Sequence, residues 1–360
     1  TDGVDIFDRL TDINNLPEYY EIYAEDGYTY RISAKTKTGY STSVEVLEKI
    51  ADQHEIIPLI LEYRQLAKLN STYVEGLSGY VMSDGRIHGK FNQTVTATGR
   101  ISSTEPNLQN IPVRTELGRQ MRKFFIADSG KMLVDADYSQ IELRVLASVA
   151  EDKTMIDAFK SGDDIHAITA SQVFGIPLEM MTSDIRSKAK AVNFGIVYGI
   201  GAFSLSKDIN VTVAKAKRYI EDYLSTYSGV RDYLDKTVEN AKTDGFVTTY
   251  FGRRRYLPEL KSSNFNLRAF GERVAKNMPI QGAAADIIKI AMINVDRRLT
   301  KENLPARLIM QVHDELIVEC PEGIAQEVSR VVSREMAAVA SLCVPLQADA
   351  KWGKSWYEAK

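Results

Sequence analysis

The 360-residue chain has no long uninterrupted apolar run. Its most apolar stretches, near Leu304–Val318, are short and broken by polar groups, which excludes a membrane-spanning segment and a membrane partner. Cysteine is scarce. Cys320 and Cys343 are the only two, and their spacing reads neither as a zinc site nor as a disulfide framework. No signal peptide is legible, because the first residues are acidic where such a leader is basic. The setting expected is therefore a reducing, cytoplasmic one. No repeat or low-complexity segment appears, which sets aside solenoids and arrays.

An excess of charge of one sign is also missing. Lys and Arg number 45 against 48 Asp and Glu, a net of -3, which does not advertise a polyanion partner. The distribution is uneven, however. Residues 1–32 hold eight acidic and two basic side chains, and the remainder carries a net of +3. A polyanion would meet the later part of the chain more favourably.

The length exceeds one ordinary core and suggests two or three subdomains. Residues 1–32 read as a short helix or loop followed by a hairpin, with Tyr20–Ala24 and Tyr28–Ile32 flanking the turn pair Asp26-Gly27. Residues 41–79 look helical, with Ser43 as a cap and apolar residues at Val46, Ile50, Ile57, Leu61 and Leu66. Residues 131–136 and 306–320 read as strands. Helical patterns dominate from about 140 to 242, a hairpin-like stretch covers 246–258, and a long helix follows over roughly 264–300. Strands at both ends with helices between them give an α+β platform carrying a helical insertion.

Two segments carry paired acids. In Leu133-Val-Asp-Ala-Asp-Tyr-Ser-Gln-Ile-Glu-Leu-Arg144 an apolar strand ends at Asp137. In Leu308-Ile-Met-Gln-Val-His-Asp-Glu-Leu-Ile-Val318 the pair His313-Asp314 sits between two strand-like runs, as at a hairpin tip. An aspartate at a strand end is commonly a turn or cap residue, so either segment alone says little. Together the two acids, 177 positions apart, can converge. Mg²⁺ takes one or two carboxylates plus substrate phosphates, so such a pair suffices for a two-metal clamp. Asp135 shares a strand face with Asp137 and is read as a decoy.

Between them lies Ser183-Asp-Ile-Arg-Ser-Lys-Ala-Lys-Ala-Val-Asn-Phe-Gly-Ile-Val-Tyr-Gly199, with Ser183 as the expected N-cap. Arg186, Lys190, Phe194 and Tyr198 follow one another at i+4 and form a drifting ridge. Arg186, Lys188 and Lys190 stand in the first two turns, where the helix dipole disfavours cations by roughly 0.3–1 kcal/mol each. A bound polyphosphate would reverse that penalty. Gly195 and Gly199 make a second row that would let a flat base approach the backbone. The alternative is a solvated basic face with an apolar stripe.

These segments together resemble the sequence motifs of family A DNA polymerases, in particular the bacterial polymerase domains. The matches are DYSQIELR at 137–144, R-x3-K-x3-F-x3-YG at 186–199 and VHDE at 312–315. Further matches are Thr98-Gly-Arg-Ile-Ser-Ser-Thr-Glu-Pro-Asn-Leu-Gln-Asn-Ile-Pro112, Asp164-Ile-His166 and Asn277-Met-Pro-Ile-Gln-Gly282. Lys35-Thr-Lys-Thr-Gly-Tyr-Ser-Thr-Ser43 and the closing Trp356-Tyr-Glu-Ala-Lys360 belong to the same pattern. The resemblance runs from about Lys35 to Lys360.

It implies an α+β right-hand polymerase with an antiparallel palm sheet, helical fingers and a truncated or reduced thumb. The palm would comprise 81–150 and 263–360, the fingers 151–262, and the remnant of the thumb 35–80. Residues 1–34 stand as an acidic segment that departs from the family. The resemblance further implies two Mg²⁺ ions held by Asp137, Asp314 and the backbone carbonyl of Tyr138, with Lys190 a proton donor to pyrophosphate. Incoming dNTP would meet Arg186, Lys190, His166, Phe194, Tyr198, Gln140 and Glu142, the last excluding a ribose 2′-hydroxyl. Primer-template DNA would meet Arg100, Asn277, Gln281, His313 and Arg273. The expected activity is primer extension on a DNA template by a monomer, with distributive synthesis and no proofreading. Two other readings remain: a single-subunit RNA polymerase-like enzyme, which Glu142 opposes, and a catalytically silent primer-template binding module, which would have lost an acid. A metal nuclease would need the acids but not the ridge.

Overall fold

The computed structural model describes residues 41–113 and 115–360, and the backbone of residues 21–23, 29–31, 35–36 and 39–40. The chain divides into compact units at Thr1–His88 and Gly89–Lys360. In the first, strands β1 (Glu21–Tyr23) and β2 (Thr29–Arg31) pair antiparallel, as do β3 (Lys35–Thr36) and β4 (Gly39–Tyr40). The hairpin expected around Asp26-Gly27 is thus present as strands, while its turn and the expected helix before it lie outside the described residues. The stretch 41–79 is broken rather than continuous. Helix α1 (Val44–Leu47) and a 3-10 turn end at Ile50, and α2 (Ile56–Leu69) starts afresh. Pro58 explains the restart, because proline lacks an N–H and fits only the first turn of a helix. A π-helical turn over Asn70–Glu75 and α3 (Gly76–Ser78) complete the run.

In the second unit, hairpin β5 (Lys90–Asn92) and β6 (Ser102–Thr104) and helix α4 (Glu116–Gln120) precede the central strand β7 (Lys131–Tyr138). Helices α5 (Ile141–Val149), α6 (Lys153–Ser161), α7 (Ile165–Phe174), α8 (Ser183–Val197), α9 (Ala202–Asp208), α10 (Val213–Thr226) and α11 (Ser228–Asp244) follow. Hairpin β8 (Phe246–Thr248) and β9 (Arg254–Tyr256) leads to the long helix α12 (Phe265–Lys301). The chain returns through β10 (Arg307–Val312), β11 (Glu315–Pro321), α13 (Ala325–Ala337) and β12 (Ala348–Gly353).

The main sheet has the order β10-β11-β7-β12, antiparallel throughout. Val134, Ala136, Leu316 and Val318 pack with Val328, Val332 and Met336 of α13 and with Ile287 and Ala291 of α12 in one core. Full burial of each such Val, Leu, Ile or Met side chain stabilises by roughly 1.5–3 kcal/mol. This packing holds the ends of β7 and the β10–β11 turn rigid, and the acids stand there.

Candidate active site

Register brings the acids together. Glu315 on β11 and Asp349 on β12 both face Asp137 across β7. Val312 pairs with Glu315, which leaves His313 and Asp314 as the tip of a two-residue turn, with His313 at φ +51. The Tyr138 N–H donates to the Asp314 carbonyl at 3.2 Å, so one backbone bond ties the two acid-bearing segments. Asp314 is half-buried. Burial, then the neighbouring charges of Asp137 and Glu142, push its carboxyl up to about 7 against the pull of Arg100. Asp137 is also raised by burial, and Lys360 works against the rise. Adjacent carboxylates that disfavour each other's charge are what a divalent cation relieves.

The donor set fits hard-cation chemistry. Among the described residues no cluster of three or more His, Cys, Asp or Glu is placed to hold a metal by itself. Two carboxylates and main-chain oxygen would leave the remaining positions to substrate and water, as Mg²⁺ prefers. The Tyr138 phenol is spent on the Met336 carbonyl at 2.7 Å, so only the backbone of that residue is left for the site.

Asp135 has a different fate. It is 3% exposed, accepts from Trp356 Nε1 at 3.0 Å, and is raised to about 8 by burial and by Glu315. Trp356 is fully buried and lies under the Arg122 guanidinium, 4.0 Å from the ring centroid. The turn after β12 delivers it: Trp356 N–H donates to Phe125 O at 2.9 Å, and Ala127 N–H to Lys354 O at 2.9 Å. Gly353 permits that turn, since a Cβ there would strike the Glu358 side chain. The same turn sets Lys360 Nζ 2.8 Å from Asp137 and 2.7 Å from Glu315. Lys360 and Arg122 were not singled out from the sequence. Nothing in their local spacing points to a site they reach only through the fold.

A second cluster joins the acids to the basic helix. Glu142 is almost fully buried on the first turn of α5, where Arg100 donates to Oε1 at 2.6 Å and Tyr198 OH to Oε2 at 2.9 Å. Arg100, Glu142 and Tyr198, expected separately, are one network. Burial, then the Glu142 charge, raises the Tyr198 phenol. Gln140 caps α5 from the left-handed region at φ +53, and its Oε1 is buried with no hydrogen-bond partner among the described residues. A cleft of about 180 Å³ opens beside Asp314, lined by Arg100, Gln109, Ile141, Gln311 and His313 among others.

Helix α8 corrects three expectations. Thr182, not Ser183, is its N-cap, accepting from Ile185 N–H at 3.3 Å. The cations are partly neutralised: Arg186 Nε bonds Asp164 at 2.5 Å and Lys188 bonds Asp184 at 2.7 Å. Lys190 makes no ion pair among the described residues and lies 5.9 Å from the Phe194 ring centroid. Both glycines are explained by the protein's own packing. A Cβ on Gly195 would meet Ile200 at 2.7 Å, and Gly199 adopts φ +66 against Arg273. Tyr198 is the residue that ends the helix.

Asp164 caps α7 through the N–H of His166 and Ala167, and its other oxygen takes Arg186, so the cap and the cation share one carboxylate. His166 is 2% exposed, and Asn193 lies beside it at 3.0 Å. Asn193 was passed over in the sequence because an amide inside a helix carries no spacing signal. Arg273, Asn277 and Gln281 stand at i+4 on α12, and Asn277 reaches the Val197 carbonyl at 3.5 Å. Arg273, Phe194, Gly195 and Tyr198 line a second cleft of about 660 Å³.

An antiparallel sheet with acids at its strand ends, joined through one buried glutamate to a basic helix, is the layout of a polymerase domain. The chain belongs to DNA polymerase family A, whose family model matches residues 14–358. Residues 14–34 therefore fall inside the family, which corrects the expectation that the first 34 depart from it. DNA polymerase I of Geobacillus stearothermophilus is 51% identical over 348 residues, 96% of this chain and 40% of that protein. The Caldicellulosiruptor bescii DNA polymerase I is 51% identical over 327 residues, 91% of this chain and 38% of that protein. A solved structure described as the POL domain of Pol1 from M. smegmatis, in complex with DNA primer-template and dNTP, superposes with a TM-score of 0.86. It is 46% identical, over 90% of this chain and 58% of that one. The chain thus spans about two fifths of the curated relatives named here. Family A polymerases generally use divalent metal ions. No described helix is long and apolar enough to cross a membrane.

Proposed function

We propose that the chain is a DNA-directed DNA polymerase, extending a primer 3′-hydroxyl with dNTPs on a DNA template, as a monomer in the cytoplasm. The observation that carries this reading is Glu142, which bonds Arg100 and the tyrosine of the basic helix while lying within electrostatic reach of Asp314. It makes one site of the acid pair and the cation ridge.

In this reading Asp137, Asp314 and the Tyr138 carbonyl hold two Mg²⁺. Bound there, the ions would lower the pKa of the 3′-hydroxyl and steady the triphosphate and the leaving pyrophosphate. Arg186 and His166 bind phosphate oxygens, and Lys190, which makes no ion pair among the described residues, gives a proton to the departing pyrophosphate. Glu142 excludes a 2′-hydroxyl, Phe194 packs by the sugar, Tyr198 guards the templating base and Gln140 orients the nucleotide. Arg100, His313, Asn277, Gln281 and Arg273 hold the primer-template. Residues 81–150 and 263–360 serve as palm, 151–262 as fingers and 35–80 as the base of a thumb. Primer extension in Mg²⁺, comparing each dNTP with each NTP, tests the reading. Absence of extension with dNTPs, or equal use of NTPs, would overturn it.

A further inference from the structure

A buried polar network links α7, α8 and the residue before α11. His166, Thr169, Asn193 and Tyr227 are each 0–2% exposed, so their hydrogen bonds have to close within the protein. Thr169 Oγ1 owns one proton, and the Ile165 carbonyl at 2.8 Å takes it in preference to Asn193 Oδ1 at 3.2 Å. The hydroxyl oxygen then accepts from Tyr227 OH at 3.1 Å and from Asn193 Nδ2 at 3.0 Å. The second hydrogen of that amide reaches His166 Nδ1 at 3.0 Å. With the amide nitrogen placed between Thr169 Oγ1 and the ring, Nδ1 of His166 is an acceptor.

A neutral imidazole that accepts at Nδ1 carries its hydrogen on Nε2. That nitrogen has no protein partner among the described residues. The charged groups facing the ring are Arg186, Lys190 and Asp164. Burial first, then Arg186 and Lys190, with Asp164 opposing, hold its pKa down to about 4.

Resting on the polymerase reading above, we propose that Asn193 is a positioning residue that fixes His166 in the Nε2–H tautomer, so that the ring offers a neutral, directed N–H to a triphosphate oxygen. Arg186 and Lys190 already supply positive charge. A third cation between them would add repulsion in the free protein, whereas a neutral donor adds direction without charge. Asn193 touches no substrate; it acts through the histidine.

The test reads the tautomer directly. Protein labelled with 15N-histidine holds four imidazoles, and His166→Gln assigns the one concerned. Long-range 1H–15N correlation at neutral pH is expected to show Nε2 protonated and Nδ1 bare. In Asn193→Asp the carboxylate can only accept, so the proton moves to Nδ1 and Nε2 loses its hydrogen. The KM for dNTP is then expected to rise about tenfold, with kcat changed much less. In the His166→Gln background, where the side chain has no tautomer to set, Asn193→Asp is expected to add less than about twofold. Nδ1 protonated in the parent protein, or an unaltered ring pattern in folded Asn193→Asp, would overturn the proposal. Should Asn193→Asp not fold, the parent spectrum alone decides. The spectrum does not depend on turnover, so a failure of primer extension would count against the polymerase reading and leave the tautomer assignment standing.

Discussion

The acid-bearing strand ends and the basic helix α8 hold their charges in opposite ways. Asp137 and Asp314 are set by sheet register and a backbone bond, and burial raises both. Arg186 and Lys188 on α8 are half-exposed and held by carboxylates that can let go. Pairs of that kind contribute about 0–1 kcal/mol. One region is rigid and electrostatically unfavourable until a cation arrives. The other is accommodating and partly neutralised. On the polymerase reading proposed above, a site that fixes metals to within a fraction of an ångström, yet admits and releases a charged nucleotide, needs this division.

The strongest way to break the comparison is at its rigid end. Asp137→Ala and Asp314→Ala should each lower primer extension by at least about a thousandfold, since several kcal/mol of charge stabilisation is lost. Thermal stability should hold or rise in Asp314→Ala, which removes a carboxylate that burial and its neighbours' charges disfavour, whereas Asp137→Ala also breaks the Lys360 pair. Asp135→Ala should do the reverse: extension is kept, while loss of the Trp356 bond lowers stability by about 1–3 kcal/mol. Single-turnover extension and denaturant melts on the three variants decide it. Equal loss of extension in all three would show that Asp135 belongs to the chemistry.

The accommodating end should fail by degrees. Lys190→Ala removes a ridge cation that makes no ion pair among the described residues, and should cut the single-turnover rate by about a hundredfold or more, leaving dNTP affinity close to the parent. Arg186→Ala should chiefly weaken dNTP binding, about tenfold, the worth of a charge-assisted hydrogen bond. Rate and affinity unchanged in both would make the ridge a solvated face after all. Glu142→Ala should relax discrimination against NTPs by roughly tenfold to a hundredfold, the usual range for a size filter. Glu142→Gln keeps the volume and should keep most of the discrimination. If the two variants behave alike, charge and not bulk is the filter.

The same division explains what the sequence disclosed. The strand expected at 131–136, the turn at His313-Asp314, the hairpin expected over 246–258 and the long helix expected over roughly 264–300 were legible because apolar patterning and turn chemistry are local. Strand β12 was not. Ala348-Asp-Ala-Lys-Trp-Gly353 has little β character, and only pairing to β7 makes it a strand. The acids were found, but not the Lys360 ammonium that meets Asp137 from 223 positions away. The ridge on α8 was found for a reason the structure only half supports. Its order of cations and aromatics holds, while its glycines answer to Ile200 and Arg273 rather than to a base. Spacing reveals which residues share a face, not what the rest of the chain has packed against it.

The smallest expected effect lies where the two regions meet, at Phe194. Its ring stands 6.3 Å from Tyr198, which bonds Glu142, and 5.9 Å from His166. The phenyl group thus lies between the Tyr198–Glu142 pair and His166, the proposed sugar filter and phosphate donor, and it offers no hydrogen bond of its own. Phe194→Tyr adds a phenol hydroxyl at the ring tip. A dideoxynucleotide lacks the 3′-hydroxyl, and the added group can take over the contact that is missing. A net hydrogen bond is worth about 0.5–1.5 kcal/mol, so acceptance of ddNTPs relative to dNTPs should rise by roughly twofold to tenfold. Stability should change little, because the hydroxyl enters open space beside the cleft rather than the core. Competitive incorporation from mixed dNTP and ddNTP pools measures the ratio. An unchanged ratio in a variant that still extends primers would remove Phe194 from the sugar site and leave it as packing for Tyr198.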